Sequence, residues 1–583
     1  MHEFAVWAPL PGRVDVVLGD RRLPMARAGD GWWRLAVSDA GPGTSYAFSL
    51  DGGPPRPDPR SAFQPAGIHG PSALVDHAAF AWTDGGWPGM DLPRSVLYEC
   101  HVGTFSAPGT FDGAIAHLDH LAALGVDAIE LMPVAEFSGQ RGWGYDGVDE
   151  YAPHHAYGGP DGLRRLVDAA HARGLGVLMD VVYNHLGPAG NYLPEFGPYF
   201  SARHQTSWGP AVNFDGPASN EVRRFVIDNA LMWLRDYHCD GLRIDAVHAI
   251  TDDSASHILA DIAAEAGALA CRLGRPLFVV AESDLNQTRF VRGRDDGGYG
   301  LDACWADEWH HALHAVLTGE VTGYYHDFGP LSLLAKALRQ AWVHDGTYSA
   351  YRGRAHGQSV TGLSGSQLVV AAQNHDQIGN RAAGERLGAL TSQGRLRIAA
   401  ALLLTSPFVP LLFQGEEWGA GTPFQYFTGH QDPGLGQAVS AGRREEFAAF
   451  DWDPQDVPDP QDPATFERSR LDWSEPASDR HAGLLRWYTE LIALRRRVPA
   501  LSDHRLDRTS VECDEAAGTL VVGRGPVTVA VNLSDSGRRF AAGPQASLAA
   551  ASDPGIELTE HALVLPPDTV AVMMTTQEGR ATR

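Results

Sequence analysis

Short runs in which apolar and polar residues alternate, cut by Gly, Pro and Asp, open the chain. Phe4 to Trp7, Val14 to Leu18, Trp32 to Val37 and Tyr46 to Leu50 each carry the period-two pattern of a half-buried strand. Their spacing predicts a small β-sandwich whose last turn lies near Pro71. A connector rich in Gly, Pro and Trp runs from Trp82 to Pro93. From Ser95 the rhythm changes to strand, helix, strand, helix. The strands are predicted over Val96 to Val102, Ala128 to Pro133, Gly176 to Tyr183 and Gly241 to Val247. They continue over Leu277 to Glu282, Leu301 to Trp309, Leu368 to Gln373 and Val409 to Gln414. Several are continuous apolar runs, as parallel strands buried on both faces require.

Helical periodicity fills the gaps. It is clearest from Ser219 to Tyr237, where Val222, Phe225, Val226, Asn229, Ala230 and Trp233 fall on one stripe. Gly159 to Arg173 and Ser254 to Arg272 are similar. Eight strand-helix units in about 330 residues predict an α/β fold, a (β/α)8 TIM barrel with loop insertions. The alternative, a doubly wound open sheet, needs a glycine-rich phosphate turn after an early strand, and none is visible. A Pro/Asp-rich segment (Asp451 to Pro476), an amphipathic helix (His481 to Arg497) and a β-rich region (Leu520 to Met574) follow. The expected division is a β-sandwich at 1–90, immunoglobulin-like and carbohydrate-binding-module-like, a barrel at 91–500, and an antiparallel β-domain at 501–583.

Length and charge narrow the partners. At about 150 residues per domain the length allows three or four domains. The 46 basic residues against 71 acidic ones give a net charge of −25. Such a surface repels phosphate backbones, so neither nucleic acid nor an anionic membrane is an expected partner, whereas a neutral sugar is not repelled. The basic residues are nearly all Arg, with Lys336 the single lysine, and nothing in the sequence explains that bias. Residues Met1 to Trp7 lack the basic start and apolar core of a secretory signal, so a cytoplasmic location is expected. The most apolar stretch, Ala400 to Phe413, is broken by Thr405, Ser406, Pro407 and Pro410 and falls short of the roughly 18 residues a membrane span needs. Cys100, Cys239, Cys271, Cys304 and Cys513 are odd in number, far apart and without a CxxC pair; reduced thiols are expected.

Polar groups at four strand ends carry the chemistry. In a barrel the carboxyl ends of the strands face the site. The fourth strand ends Gly241-Leu242-Arg243-Ile244-Asp245, and alternation puts Arg243 and Asp245 on one face. A structural ion pair is the simpler use of two such charges. The fifth ends in Glu282, the seventh continues Asn374-His375-Asp376, and the third ends Asp180-Val181-Val182-Tyr183-Asn184-His185. One such acid can be a helix N-cap. Three on different strands, with Arg243, His185 and His375 around them, point to one site. Clustered carboxyls push at least one pKa up, leaving an acid beside an ionised neighbour, which suits glycoside cleavage. Metal-assisted hydrolysis is the competing use of Asp/His clusters. HExxH is absent, and His154-His155 and His310-His311 lack helical zinc spacing, so no metal and no cofactor is expected.

Asp180 to His185, Gly241 to His248, Val280 to Glu282 and Asn374 to Asp376 resemble, in order, the four signature regions of the α-amylase family, glycoside hydrolase family 13. The resemblance implies Asp245 as nucleophile, Glu282 as general acid/base and Asp376 as the third acid, which holds the −1 sugar. It places Arg243, His185, His375, Tyr145 and Asp146 at that subsite. Within the family the chain is most similar to the trehalose-releasing hydrolases of maltooligosyltrehalose. That similarity includes Asp58-Pro59-Arg60-Ser61, His69-Gly70-Pro71-Ser72 and Phe413-Gln414-Gly415-Glu416-Glu417-Trp418-Gly419. It implies retention, maltooligosyltrehalose and maltooligosaccharides as ligands, and functional pairing with a maltooligosyltrehalose synthase. Trp208, Asp307, Glu308 and Tyr325, after the third and sixth strands, are the expected contacts to the trehalose unit. Asn184 matches a calcium-binding position of many α-amylases; no other ligand is identified and no calcium is predicted. A glycogen-branching transferase on the same scaffold and a non-catalytic glucan-binding protein are the alternatives.

Overall fold

The computed structural model describes residues 1–448 and 457–575, so 451–456 of the Pro/Asp-rich segment and 576–583 of the last unit lie outside the described residues. Eight parallel strands close into a barrel. They are β1 (Leu97–Cys100), β2 (Ala128–Leu131), β3 (Gly176–Val181), β4 (Gly241–Ile244), β5 (Phe278–Ala281), β6 (Ala303–Trp305), β7 (Leu368–Ala371) and β8 (Val409–Phe413). Each lies inside a predicted strand and stops short of its polar end. The sixth differs most. Its predicted second half, from Asp307, is the first turn of a helix, Asp307–Thr318. Two acids in a first turn complement the helix dipole, and a short apolar run does not by itself separate strand from buried helix.

Alternation along the strands sorts the side chains into an inner and an outer set. Leu97, Ala128, Leu178, Val280, Ala303, Val369, Val409 and Leu411 form one apolar cluster, the floor of the barrel interior. Tyr98, Ile129, Val177, Met179, Leu242, Ile244 and Val370 belong to the larger core shared with the helices. Two residues further along the inner set come Glu99, Glu130, Asp180 and Arg243, all buried. The interior therefore changes from apolar to charged within one strand pleat, on the carboxyl side. Outside, the helix Ser219–Arg235 buries the whole predicted stripe. Its one polar member, Asn229, donates to Glu150 O at 2.7 Å and accepts from Tyr183 Oη at 2.6 Å.

At the amino end, His2–Trp7, Trp32–Val37 and Ala26–Gly29 form one antiparallel sheet, and a second is built on Val14–Leu18 and Ser45–Leu50. Arg60 ties this region to the barrel through Tyr151 Oη and Asp228 Oδ2, both at 2.9 Å. At the carboxyl end, Thr509–Asp514 begins a five-stranded antiparallel sheet, eleven residues before the predicted start at Leu520. It is an edge strand whose exposed Ser510, Glu512 and Asp514 dilute the apolar pattern. The helix Asp479–Arg497 packs on Gln393–Leu404. From its last turn, buried Arg495 donates to the carbonyls of Leu404, Ser406 and Phe408 at 3.1, 2.7 and 2.6 Å, meeting groups that a helix end leaves unpaired. No helix among the described residues is long and apolar enough to cross a membrane.

Candidate active site

Arg243 organises the barrel mouth. Its Nη1 donates to both oxygens of Asp180 at 2.9 Å and to Asp245 Oδ1 at 2.8 Å, while Nη2 lies 3.7 Å from Glu282 Oε2. The guanidinium is held 4.4 Å over the Trp305 ring. One buried cation thus spans the acids that end β4 and β5. Asn184 Nδ2 donates to Asp245 Oδ2 at 2.9 Å and to the Asp245 carbonyl at 2.9 Å, which fixes the carboxylate from β3. Directly after Asp245 the backbone enters the left-handed region at Ala246, φ 39°. A non-glycine residue there is strained, and that turn aims the Ala246 N–H at Glu282 Oε2, 2.6 Å away.

Burial raises the Glu282 carboxyl; Arg243 opposes the shift, and Asp245 and Asp376 add to it. Asp180 is pushed up to about 7, first by burial, against the pull of Arg243. His375 goes the other way. Burial disfavours its charge, but Asp376 and Glu99 outweigh it and hold the imidazole up to about 9. Glu99, at the end of β1, accepts His375 Nδ1 at 2.5 Å and its backbone N–H at 3.0 Å. His375 Nε2 lies 3.4 Å from Asp376 Oδ2. The Asp376 side chain is 41% exposed against 13% for Asp245 and 12% for Glu282, so it forms the solvent side of the group.

Tyr145 roofs this arrangement. Its ring stacks on His375 with centroids 5.1 Å apart, and its hydroxyl donates to Asp180 Oδ2 at 2.6 Å. His185 Nε2 donates to the Tyr145 carbonyl at 2.9 Å, and its Nδ1 contacts Asn184 Oδ1. Asp146 faces His430 at 3.6 Å, and burial raises its carboxyl. Trp208 stands at the tip of a hairpin, 52% exposed, with its ring flat on His185 at 4.9 Å. Asp307 begins its helix beside the acids. Burial, then Glu282, Asp376 and Asp284, hold its carboxyl well above the usual range.

Clustered carboxyls, one of them raised by burial, are the equipment of a glycosidase. The "Alpha amylase, catalytic domain" family model matches residues 76–205. The malto-oligosyltrehalose trehalohydrolase of Arthrobacter ramosus is 54% identical over 537 residues, 91% of this chain and 93% of that one. This chain belongs to the malto-oligosyltrehalose trehalohydrolase family, glycosidases of the α-amylase family. A crystal structure of a Salmonella typhimurium protein, provisionally assigned as an alpha amylase, superposes with a TM-score of 0.90 at 39% identity, over 98% of this chain and 97% of that one. A 1,4-alpha-glucan branching enzyme of Corynebacterium jeikeium is 28% identical over 71% of this chain and 60% of its own length.

Two expected contacts prove to be internal braces in this trehalohydrolase-family barrel. Glu308 is buried, and its carboxylate takes the N–H of Val343 and of His344 at 2.7 Å each and His344 Nδ1 at 2.6 Å. Tyr325 is buried too, bonded to His310 Nε2 at 3.1 Å and stacked on His314 at 4.3 Å. Glu308, in the first turn of the helix Asp307–Thr318, and Tyr325, in the short helix Gly323–Asp327, both face inward, so neither joins the acids. Tyr324, one place earlier, is half-buried, and Asp376 is among the groups that raise its phenol after burial itself. Sequence reasoning also missed Glu99, Asn184 as a holder of Asp245, and Ala246. An acid inside the apolar β1 run was a visible signal for Glu99; its partner 276 residues away was not.

Two groups of three side chains gather within 4.8 Å as potential metal ligands among the described residues: Glu136 with His154 and His155, and His204 with Asp215 and Asp253. Both are already engaged. Glu136 accepts the N–H and Nδ1 of His155 at 2.8 and 2.7 Å, and Asp215 takes Arg203 and His204 at 2.9 and 3.0 Å.

Proposed function

We propose that this protein hydrolyses the α-1,4 bond next to the terminal trehalose of maltooligosyltrehalose, releasing trehalose and a shorter maltooligosaccharide. Asp245 attacks the anomeric carbon of the −1 glucose while Glu282 gives its proton to the departing O4 of the trehalose unit. A glucosyl ester on Asp245 results. Water, deprotonated by Glu282, then attacks the same carbon, frees Asp245 and restores the acid, so configuration is retained. A separation of about 5–5.5 Å between the two carboxyls belongs to this mechanism. Asp376, His375, His185, Tyr145 and Asp146 bind the −1 sugar, and Trp208 and Asp307 take the trehalose side.

The observation that carries this reading is the single guanidinium of Arg243 reaching both Asp245 and Glu282, with burial raising the Glu282 carboxyl. Identity of 54% to a trehalohydrolase, against 28% to a branching enzyme, supports hydrolysis over transfer. The substrate requires a second enzyme that makes the anomer-to-anomer bond at a glucan's reducing end, a maltooligosyltrehalose synthase, in a trehalose-forming sequence within the cytoplasm. On this reading the amino- and carboxyl-terminal sheets are separate units about the barrel, divided near residues 90 and 500.

The test compares maltooligosyltrehalose with a linear maltooligosaccharide of equal length. A kcat/KM at least tenfold higher for the trehalose-ended chain is expected. Equal values, or α-1,6 branches in place of free trehalose, would overturn the assignment.

A further inference from the structure

One ionisable group in the barrel interior has no part in the scheme above. Glu130 lies on β2 directly opposite Glu99 of β1, and on its other side opposite Leu178 of β3, two residues before Asp180. All three acids belong to the inward set, so three carboxyl groups stand side by side on adjacent strands. Glu130 is 1% exposed, and neither oxygen has a hydrogen-bond partner. Its two neighbours each own a cation. Glu99 holds His375 at 2.5 Å, and Asp180 holds Arg243 at 2.9 Å. Those cations are also the ones that position Asp376 and Asp245.

We propose that Glu130 is a positioning residue that works as a neutral carboxylic acid, keeping its own proton so that Arg243 and His375 stay with the carboxylates they position. An ionised Glu130 would put a further buried negative charge between Glu99 and Asp180, and it would compete for those cations. Arg243 is the group most exposed to that competition, because its Nε and Nη2 have no hydrogen-bond partner. Drawing the guanidinium towards β2 would take it from Asp245 and from the neighbourhood of Glu282. The groups that face or surround Glu130 are Glu99 and the Cys100 thiol from β1, Asp180 from β3, Arg243 from β4 and His375 after β7. Burial, then Glu99 and Asp180, push its carboxyl well above the usual range, and Arg243 and His375 do not reverse that. In the sequence the signal is one acid in an otherwise apolar strand, Ile129-Glu130-Leu131, and its two acidic neighbours on other strands are not visible there.

This inference rests on the roles proposed above for Asp245 and Glu282, and the experiment separates the two. Infrared difference spectra of wild type and Glu130→Gln at neutral pH, with 13C-labelled glutamate, report the protonated-carboxyl band whatever substrate is cut. A band present in wild type and missing in Glu130→Gln is expected; an ionised carboxylate band in its place would overturn the proposal. Kinetics supply the second readout. Glu130→Gln, neutral and of equal size, should keep kcat within about threefold with the alkaline limb of the pH profile unmoved, while Glu130→Ala should lose at least tenfold in kcat with little change in KM. A limb displaced to lower pH by about one unit in Glu130→Gln would mean that an anion had been removed, and would overturn it equally. Should Glu130→Ala fail to fold, the Gln variant and its spectrum decide alone.

Discussion

Asp245 and Glu282 carry like groups on neighbouring strands, and their surroundings give them different work. Asp245 receives two N–H donors, from Arg243 and Asn184, whereas Glu282 receives one backbone N–H and is raised by burial. On the proposed mechanism, replacing Asp245 with Asn removes the attacking oxygen and should lower kcat by roughly three to five orders of magnitude. Asn184→Ala should cost less, about 10- to 100-fold, the worth of one hydrogen bond to a charged group. Steady-state kinetics on purified variants check both, and equal losses would contradict the supporting role given to Asn184. The raised Glu282 also sets a direction in pH. Activity should fall as pH rises through its pKa, because the acid must begin protonated, and in Glu282→Gln that alkaline limb should vanish along with most of the rate. A limb that survives the substitution would assign the proton to another group.

Residue positions at this scale were legible where a polar group breaks an apolar run. Asp245, Glu282 and Asp376 stand out at strand ends for that reason. Ala246 did not, because its contribution is a backbone angle and a small apolar residue announces none. Glu308 and Tyr325 were misplaced because residue type alone does not say which side of a helix faces the mouth.

Elements are tied to one another by ion pairs. The helix Asp307–Thr318 runs into a loop where Glu320 accepts His314 Nε2 at 2.6 Å and pairs with Arg381 through contacts of 2.8 and 3.0 Å. The hydrogen bond from His314, against burial and with Arg381 behind it, depresses the Glu320 carboxyl to about 2. A folded-state pKa below the ordinary value of 4.5 stabilises the fold above that value, and the gain is lost as pH falls through about 2. Glu320→Gln should therefore destabilise the protein by about 1–2 kcal/mol at neutral pH, a discounted figure for a partly exposed carboxylate. Urea unfolding at several pH values measures it. The gap between wild type and variant should close between about pH 4.5 and about pH 2, and a gap independent of pH would refute the ion-pair explanation.

All eight barrel strands were legible in the sequence because parallel strands buried on both faces are largely apolar. Their ends were not. Glu282 and Asp376 lie past the strand ends, Glu282 with its N–H still bonded to the Ile244 carbonyl at 3.0 Å. The edge strand Thr509–Asp514 was missed for a related reason: half of its side chains meet water.

At the scale of the whole molecule, the net charge of −25 is spread over a surface with one barrel mouth and antiparallel sheets at either end. A neutral glucan is unaffected by that charge, which agrees with a site whose few cations are spent on its own acids. The amino-terminal sheets touch the barrel through polar ties such as Arg60 to Asp228, and the carboxyl-terminal sheet sits against Gln393–Leu404. These outer units brace a barrel whose interior is apolar below and charged above. On the proposed function this charged layer serves retaining hydrolysis beside a terminal trehalose. Proton NMR of maltooligosyltrehalose, followed from the first minutes after enzyme is added, tests it most directly. The account predicts trehalose and a new reducing end in equal amounts, with that end first appearing as the α-anomer and mutarotating afterwards. A β-anomer first, or α-1,6 products without free trehalose, would contradict it.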